Sequence, residues 1–251
     1  MNDIPAIDGI AIPTSDMIAM TRRELAPWIA TTPVFARSGI TAGPDGAMLR
    51  FKFELLQNAG TFKARGAFAN ILALDDEQKA RGVTAISAGN HAIAVAYAAE
   101  KLGVPAKVVM LASANPARLA LARAYGADVL LAPDGATGFA MVADLQANEG
   151  RFFVHPFNGL RTILGTATLG AEWAEQSAGL DALVLPIGGG GLAAGVATAF
   201  KLAMPGLAIY GVEPTGANGM SRSFATGGPV KMGTMSSIAD SLCAPHTEGH
   251  L

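Results

Sequence analysis

The apolar positions of the chain fall into short continuous runs separated by longer segments of helical spacing. The first periodic stretch, "TSDMIAMTRRELAPWIA" (14–30), predicts a helix opened near Thr14 or Ser15 and stopped near Pro27. "TTPVF" follows as an extended lead-in, and "AMLRFKFELL" alternates enough to predict a strand from Met48 to Leu55. "GTFKARGAFANILAL" predicts a helix near 62–74. Next come a strand in "VTAIS" (83–87) and a helix in "NHAIAVAYAAEKLG" (90–103), ended by Gly103. "AKVVML" (106–111) is a strand, and "NPARLALARAYG" a helix that Pro116 opens at its first turn. "ADVLLA" (127–132) reads as a strand, "TGFAMVADLQANEG" as a helix, and "RFFVHPF" (151–157) as a strand running into a turn. "ILGTATLGAEWAEQSAG" is helical, "DALVLPIG" (181–188) a strand, "GLAAGVATAFKLA" a helix and "LAIYGVEP" (207–214) a strand.

Apolar strands alternating with helices predict an α/β fold with parallel sheets covered on both faces. Chemistry in such a fold is expected at the carboxyl ends of the strands, where loops and helix N-termini converge. There is no linker or low-complexity tract, and the strand–helix units are too irregular for a solenoid.

Composition acts mainly by exclusion. At 251 residues and 51% hydrophobic, the chain suits one large domain or two smaller lobes. A net charge of −2 offers no basic field for nucleic acid or an anionic membrane. Aromatic residues, at 6%, do not interleave with basic ones to form a stacking groove. The single cysteine, Cys243, excludes an intrachain disulfide framework and points to a reducing compartment, the cytoplasm. The opening "MNDIPAIDGI" is acidic and broken by Pro5 and Gly9, unlike a secretory leader, and no uninterrupted apolar run reaches membrane-spanning length.

Three places carry candidate chemistry. Gly188–Gly191 follow a predicted strand and precede a predicted helix. Four glycines there let several N–H groups point into one concave space at a helix N-terminus, which makes a phosphate cradle; a plain tight turn is the alternative. No Lys-Ser/Thr pair follows, as a triphosphate loop requires, and the dinucleotide spacing is not met. "SAGNH" (87–91) brings short polar side chains and bare N–H groups to a second strand end, suited to a carboxylate or a ring oxygen. His91 beside it, and His155 before Pro156, also read as structural histidines. His91, His155, His246 and His250 show no compact metal-ligand spacing. The third place is "NAGTFKARGAFAN" (58–70), whose Lys63 alone reads as a solvated surface lysine. Beside a phosphate cradle and a carboxylate turn, it is placed to anchor an aldehyde cofactor.

"TFKARGA" (61–67), "SAGNH" (87–91), "GGGGL" (188–192) and "GVEP" (211–214) stand in order within residues 14–245. Together they resemble the pyridoxal-phosphate enzymes of the tryptophan-synthase β fold type (fold type II), and within it the threonine/serine dehydratase branch. The resemblance implies two lobes of open parallel sheets flanked by helices. Residues 1–78 would begin the large domain, 79–157 form the small domain, and 158–251 continue the large one. It implies pyridoxal 5'-phosphate as cofactor, with Lys63 forming the Schiff base and moving the α-proton. Phe62 would pack against the cofactor ring, and Asn90 would bond its phenolic oxygen. Ser87, with the backbone of Ala88, Gly89 and His91, would hold the substrate carboxylate. Gly188, Gly189, Gly190 and Gly191 would bind the phosphate, with Leu192 closing the turn.

The implied reaction is β-elimination of L-threonine and/or L-serine to 2-oxobutanoate or pyruvate and ammonia. The alternatives are another member of the fold (3-hydroxyaspartate dehydratase, serine racemase or β-replacement enzyme) or a truncated, catalytically weak or silent homologue. Homodimerisation is implied as well. Several positions depart from the pattern. Ala88 replaces a serine that racemases use on the opposite face, which favours elimination. Ala64, Arg65 and His91 separate the chain from cysteine synthases, and Ile93 and Ile163–Leu164 replace polar residues. Glu213 and the carbonyl of Ala217 match two ligands of a divalent-metal site, but Gly219 stands where the third would be, so no metal is expected. The family continues beyond "SIADSL" (237–242) with further strands and helices, so the large domain is expected to lack its C-terminal part, including the group facing the pyridine nitrogen.

Overall fold

The computed structural model of the protein describes residues 6–38 and 47–251. Residues 1–5, which carry part of the leader argument, lie outside the described residues. The chain opens with β1 (Ala6–Ile7) and β2 (Ile10–Ala11), then α1 (Ser15–Leu25), β3 (Val34–Arg37), β4 (Leu49–Lys52), α2 (Lys63–Leu72) and α3 (Asp76–Arg81). It continues with β5 (Val83–Ile86), α4 (Asn90–Leu102), β6 (Ala106–Leu111), α5 (Pro116–Ala124), β7 (Asp128–Ala132), α6 (Gly135–Glu149) and β8 (Phe152–Phe153). Then follow α7 (Leu160–Gln176), β9 (Ala182–Pro186), α8 (Gly191–Ala203), β10 (Ala208–Val212) and α9 (Gly219–Thr226).

Local chemistry sets the boundaries. The Thr14 hydroxyl accepts from the N–H of Met17 to start α1. Asp75 and Gln78 form a capping box on α3, a short helix the apolar pattern does not show. Asn115 caps α5 with Pro116 in its first turn. Gly103 (φ 66°) ends α4 in the left-handed conformation that glycine adopts without strain.

The sheets are α/β in character, as expected. Strands β7-β6-β5-β8 form one parallel sheet in that order, with Val83 opposite Ala106 and Phe152, and Lys107 opposite Asp128. Every residue of the central β5 is buried. Strands β9 and β10 form a separate parallel pair, Ala182 opposite Ala208. Leu183 and Leu185 turn inward, while Val184, Tyr210 and Val212 face outward and are exposed. The strand predicted from Met48 to Leu55 is shorter, at Leu49–Lys52, and pairs antiparallel with β3. Glu54–Leu56, at the end of the predicted strand, curl instead into a single 3₁₀ turn.

Helices meet at small residues. A Cβ on Gly165 of α7 would fall 2.6 Å from the Gly66 Cα of α2. A Cβ on Gly195 of α8 would fall 2.4 Å from the Ile163 carbonyl oxygen of α7. Aromatic contacts flank these crossings. Trp28 stacks on Phe68 of α2 at 5.7 Å, and Trp173 of α7 meets Phe200 of α8 edge-on at 5.6 Å. Among the described residues, no helix is long and apolar enough to cross a membrane.

Candidate active site

Lys63 is the first residue of α2. It does not directly follow a strand, as the sequence pattern implies; two 3₁₀ turns, 54–56 and 58–60, stand between β4 and α2. Ala59 in the second turn has φ 63°, a left-handed conformation costly for a residue with a Cβ. The turns are held by a buried charged network. Arg65 donates to both oxygens of Glu54 at 2.9 Å, to Glu172 of α7 at 3.0 Å and to Thr168 at 3.4 Å. Lys52 pairs with the other oxygen of Glu172. Burial opposes the charge on Arg65, but the hydrogen bonds and negative charges of Glu54 and Glu172 outweigh it and raise its pKa. This network fixes the start of α2, and with it Lys63, against α7.

The Lys63 side chain enters a cleft of about 270 Å³, counting the part open to solvent. Phe62, Gly66, His91, His155, Thr166, Gly191 and Leu192 are among its walls. The amine donates to the carbonyl of Pro156 and lies 5.1 Å from the Phe62 ring centre. Burial without a nearby carboxylate pulls its pKa from 10.5 down to about 8.

The glycine stretch lies at the start of α8, with Gly190 at the cap position (φ 94°) and no side chain capping the helix. Its first N–H groups are therefore available to an anion. The Thr166 hydroxyl donates to the Gly191 carbonyl at 2.7 Å, tying the loop to α7. A Cβ would fall 2.3 Å from the Phe157 ring at Gly189 and 2.3 Å from the Phe157 carbonyl oxygen at Gly191, so these two positions accept glycine alone. The C-terminal segment also packs on the loop: Leu251 and Met220 approach Gly190, and Leu242 approaches Gly188.

At the end of β5, Ser87 Oγ accepts from the N–H of Gly89 at 3.0 Å. Ser87 and Ala88 are half-buried, Gly89 is buried and Asn90 is exposed. These four lie outside the walls of the Lys63 cleft, whereas His91 is one of them. The His91 ring bonds the Val154 carbonyl through Nε2 at 2.8 Å. Burial first, then the Lys63 charge, pushes its pKa down to about 3, so the ring is neutral and donates from Nε2.

The structure brings together groups that sequence spacing leaves apart. His155 Nδ1 accepts from the N–H groups of Phe157 (3.3 Å) and Asn158 (3.0 Å). Its pKa falls to about 3, through burial and then the charges of His246, Lys63 and His250. His246 Nε2 and Glu248 Oε1 are 3.1 Å apart, and ligand atoms of His155, His246 and Glu248 lie within 4.8 Å of one another. With Nδ1 accepting, the neutral His155 ring carries its proton on Nε2 and has no lone pair left for an ion. Glu213 is likewise engaged. Its two oxygens accept from the N–H groups of Met220 and Ser221 and the Ser221 hydroxyl, at 2.6–2.8 Å, and cap α9. Ala217 is buried in the 3₁₀ turn just before α9. Arg65, Glu172 and the C-terminal segment were invisible to local patterns, since the first pair is 107 residues apart.

The donor set suits a phosphate-bearing aldehyde. A buried amine of lowered pKa and an uncapped helix N-terminus with glycine-only backbone share one cleft. Comparison with known proteins agrees. The profile of the "Pyridoxal-phosphate dependent enzyme" family matches residues 25–250. The phenylserine dehydratase of Ralstonia pickettii is 61% identical over 242 residues, covering 96% of this chain and 74% of its own. Among solved structures, maize serine racemase superposes with a TM-score of 0.89 at 36% identity, over 95% of this chain and 72% of its own. The threonine deaminase of T.th. gives 0.86 at 37% identity, over 95% and 78%. The chain therefore belongs to the pyridoxal-phosphate-dependent enzyme family, on its threonine/serine dehydratase branch.

Proposed function

We propose that the protein is a pyridoxal-phosphate-dependent ammonia-lyase that deaminates 3-hydroxy amino acids, L-threonine and L-serine among them. The observation that carries this reading is the Lys63 amine, buried and brought to a pKa of about 8, in the same cleft as the start of α8. Pyridoxal phosphate, when bound, supplies an aldehyde that condenses with amines and a conjugated ring that delocalises negative charge from Cα. Lys63 would hold the aldehyde carbon and, once free of it, would take the Cα proton; a lowered pKa keeps a useful fraction of the amine neutral near pH 7–8. The N–H groups of Gly188–Gly191 and Leu192, at the uncapped start of α8, would bind the phosphate. Phe62, in the cleft wall, would pack beside the ring, and Asn90, at the start of α4 just outside those walls, would bond its phenolic oxygen. The Ser87–His91 turn binds the carboxylate, and neutral His91, fixed to Val154, holds that turn in place. The Cα proton and the 3-hydroxyl together would amount to one water lost, and addition of water to the resulting enamine would give a 2-oxo acid and ammonia.

Ala88 carries no hydroxyl to return a proton to Cα, which supports elimination over racemisation. The similarity to phenylserine dehydratase supports 3-phenylserine as a further substrate. Homodimerisation and a cytoplasmic location belong to the same reading. The test is 2-oxo acid release by the cofactor-loaded protein from L-threonine, L-serine, 3-phenylserine and 3-hydroxyaspartate. Product from the first three supports the reading. Bound cofactor without product from any of them overturns it, and product from 3-hydroxyaspartate alone transfers the activity to that substrate.

A further inference from the structure

We propose that Arg118 is a substrate-recognition residue whose guanidinium binds the carboxylate of the incoming amino acid over the Ser87–Asn90 turn, in exchange for the Asp240 carboxylate it holds in this structure. The inference rests on the lyase reading only in taking that turn, which adjoins the cleft through His91, as the carboxylate-binding element.

The parallel pairing of β5 and β6 sets the placement. Both strands end on the same side of the sheet, so the turn after β5 and the first turn of α5, which holds Arg118, are neighbours. The guanidinium lies against Gly89: a Cβ there would fall 2.7 Å from Arg118 Cδ and 2.9 Å from both Nε and Nη1. Glycine at position 89 is what lets the cation settle on the turn. The neighbouring ionisable group, His91, is neutral. Arg118 is thus the permanent charge next to N–H groups that would otherwise bind an anion alone.

Asp240 already shows what the cation binds. Arg118 Nη1 donates to Asp240 Oδ2 at 3.0 Å, its one side-chain hydrogen bond among the described residues. A guanidinium offers a planar fork of donors, and a single contact leaves most of it unused. The pair is also exposed, with side-chain accessibilities of 34% and 62%. Such pairs are weak and exchange readily. A substrate carboxylate reached by both the fork and the turn would displace Asp240. Ser241 and Leu242, next in sequence, pack at Gly188 of the glycine loop, so the exchange also loosens the segment spanning the two loops.

The test is a spectral titration of the cofactor-loaded protein with L-alanine, which has the amine and carboxylate but no leaving group. Arg118→Gln should weaken binding about tenfold to a hundredfold, the range for a hydrogen bond to a charged group. Arg118→Lys should recover part of that loss. Asp240→Asn should tighten binding by removing the competitor, and should have no effect in the Arg118→Gln background. Wild-type affinity in Arg118→Gln overturns the inference. So does weakened binding in Asp240→Asn, which would make the pair a structural brace, or the absence of any titration by the wild type. A wild type that binds L-alanine yet releases no 2-oxo acid from 3-hydroxy amino acids defeats the lyase reading and leaves this inference standing. Turnover with unchanged affinity in Arg118→Gln does the reverse.

Discussion

Gly165 and Gly66 face each other where α7 crosses α2, so closely that a Cβ on Gly165 would sit 2.6 Å from the Gly66 Cα and 2.7 Å from the Arg65 carbonyl oxygen. Backbone on the opposing side cannot rotate away. Gly165→Ala is expected to destabilise the fold by about 1–3 kcal/mol, the usual cost of overpacking. It should also shift Lys63, three residues before Gly66, and slow cofactor loading. Urea unfolding and the rate of appearance of cofactor absorbance measure the two effects. An unchanged midpoint would mean that the helices separate freely.

Arg65 joins Glu54 and Glu172 at one buried point. Arg65→Met leaves the Glu54 carboxylate without its cation and Glu172 with Lys52 alone, and should cost about 3–5 kcal/mol. Glu172 also has a defined pH signature. Burial would raise its pKa, but Arg65, Lys52 and the Thr32 N–H together bring it below 4.5. Its contribution is therefore present above pH 4.5 and lost as pH falls through the folded-state value. Glu172→Gln should flatten the acid limb of the stability curve; an identical limb would remove Glu172 from the account.

His91 and His155 both titrate near 3 in the folded state and near 6.5 when unfolded. Between those values the unfolded chain binds protons that the folded chain refuses, so stability is full above pH 6.5 and falls as pH drops towards 3. The slope is about 1.4 kcal/mol per pH unit for each histidine. Chemical denaturation at pH 7, 6, 5 and 4 measures it. His155→Gln should reduce the slope by one proton.

Lys63 should be the residue labelled when pyridoxal phosphate is fixed to the protein with borohydride. Labelling should be half-maximal near pH 8, and Lys63→Ala should abolish it. Because its folded-state pKa is below that of the unfolded chain, stability from this group rises as pH climbs from 8 to 10.5. Peptide mapping that places the label on another lysine would reassign the anchor.

The legible parts of the fold are those written locally. Strands β5, β6 and β7 and the helices between them follow from continuous apolar runs, from Pro116 and from Gly103. The antiparallel pair of β3 and β4 does not, because each strand's partner is fixed by cross-strand pairing and not by alternation alone. Lys63, His91 and the start of α8 converge on one cleft as the motif order suggests, whereas Ser87 and Asn90 stand outside it. The network around Arg65 is illegible for a different reason. Its charges look like ordinary surface residues in the sequence and become buried only when α2 and α7 meet.

The two aromatic contacts beside the helix crossings have a practical side. The sequence holds two tryptophans. Trp28 rests on Phe68 of α2, the helix that begins with Lys63, and Trp173 rests on Phe200 of α8, the helix that begins with the glycine loop. Each wall of the cleft thus carries its own intrinsic fluorophore. With Trp28→Phe or Trp173→Phe, the emission of the remaining indole watches one wall at a time, so the order in which the amine side and the phosphate side respond to a ligand can be read optically without attaching a dye.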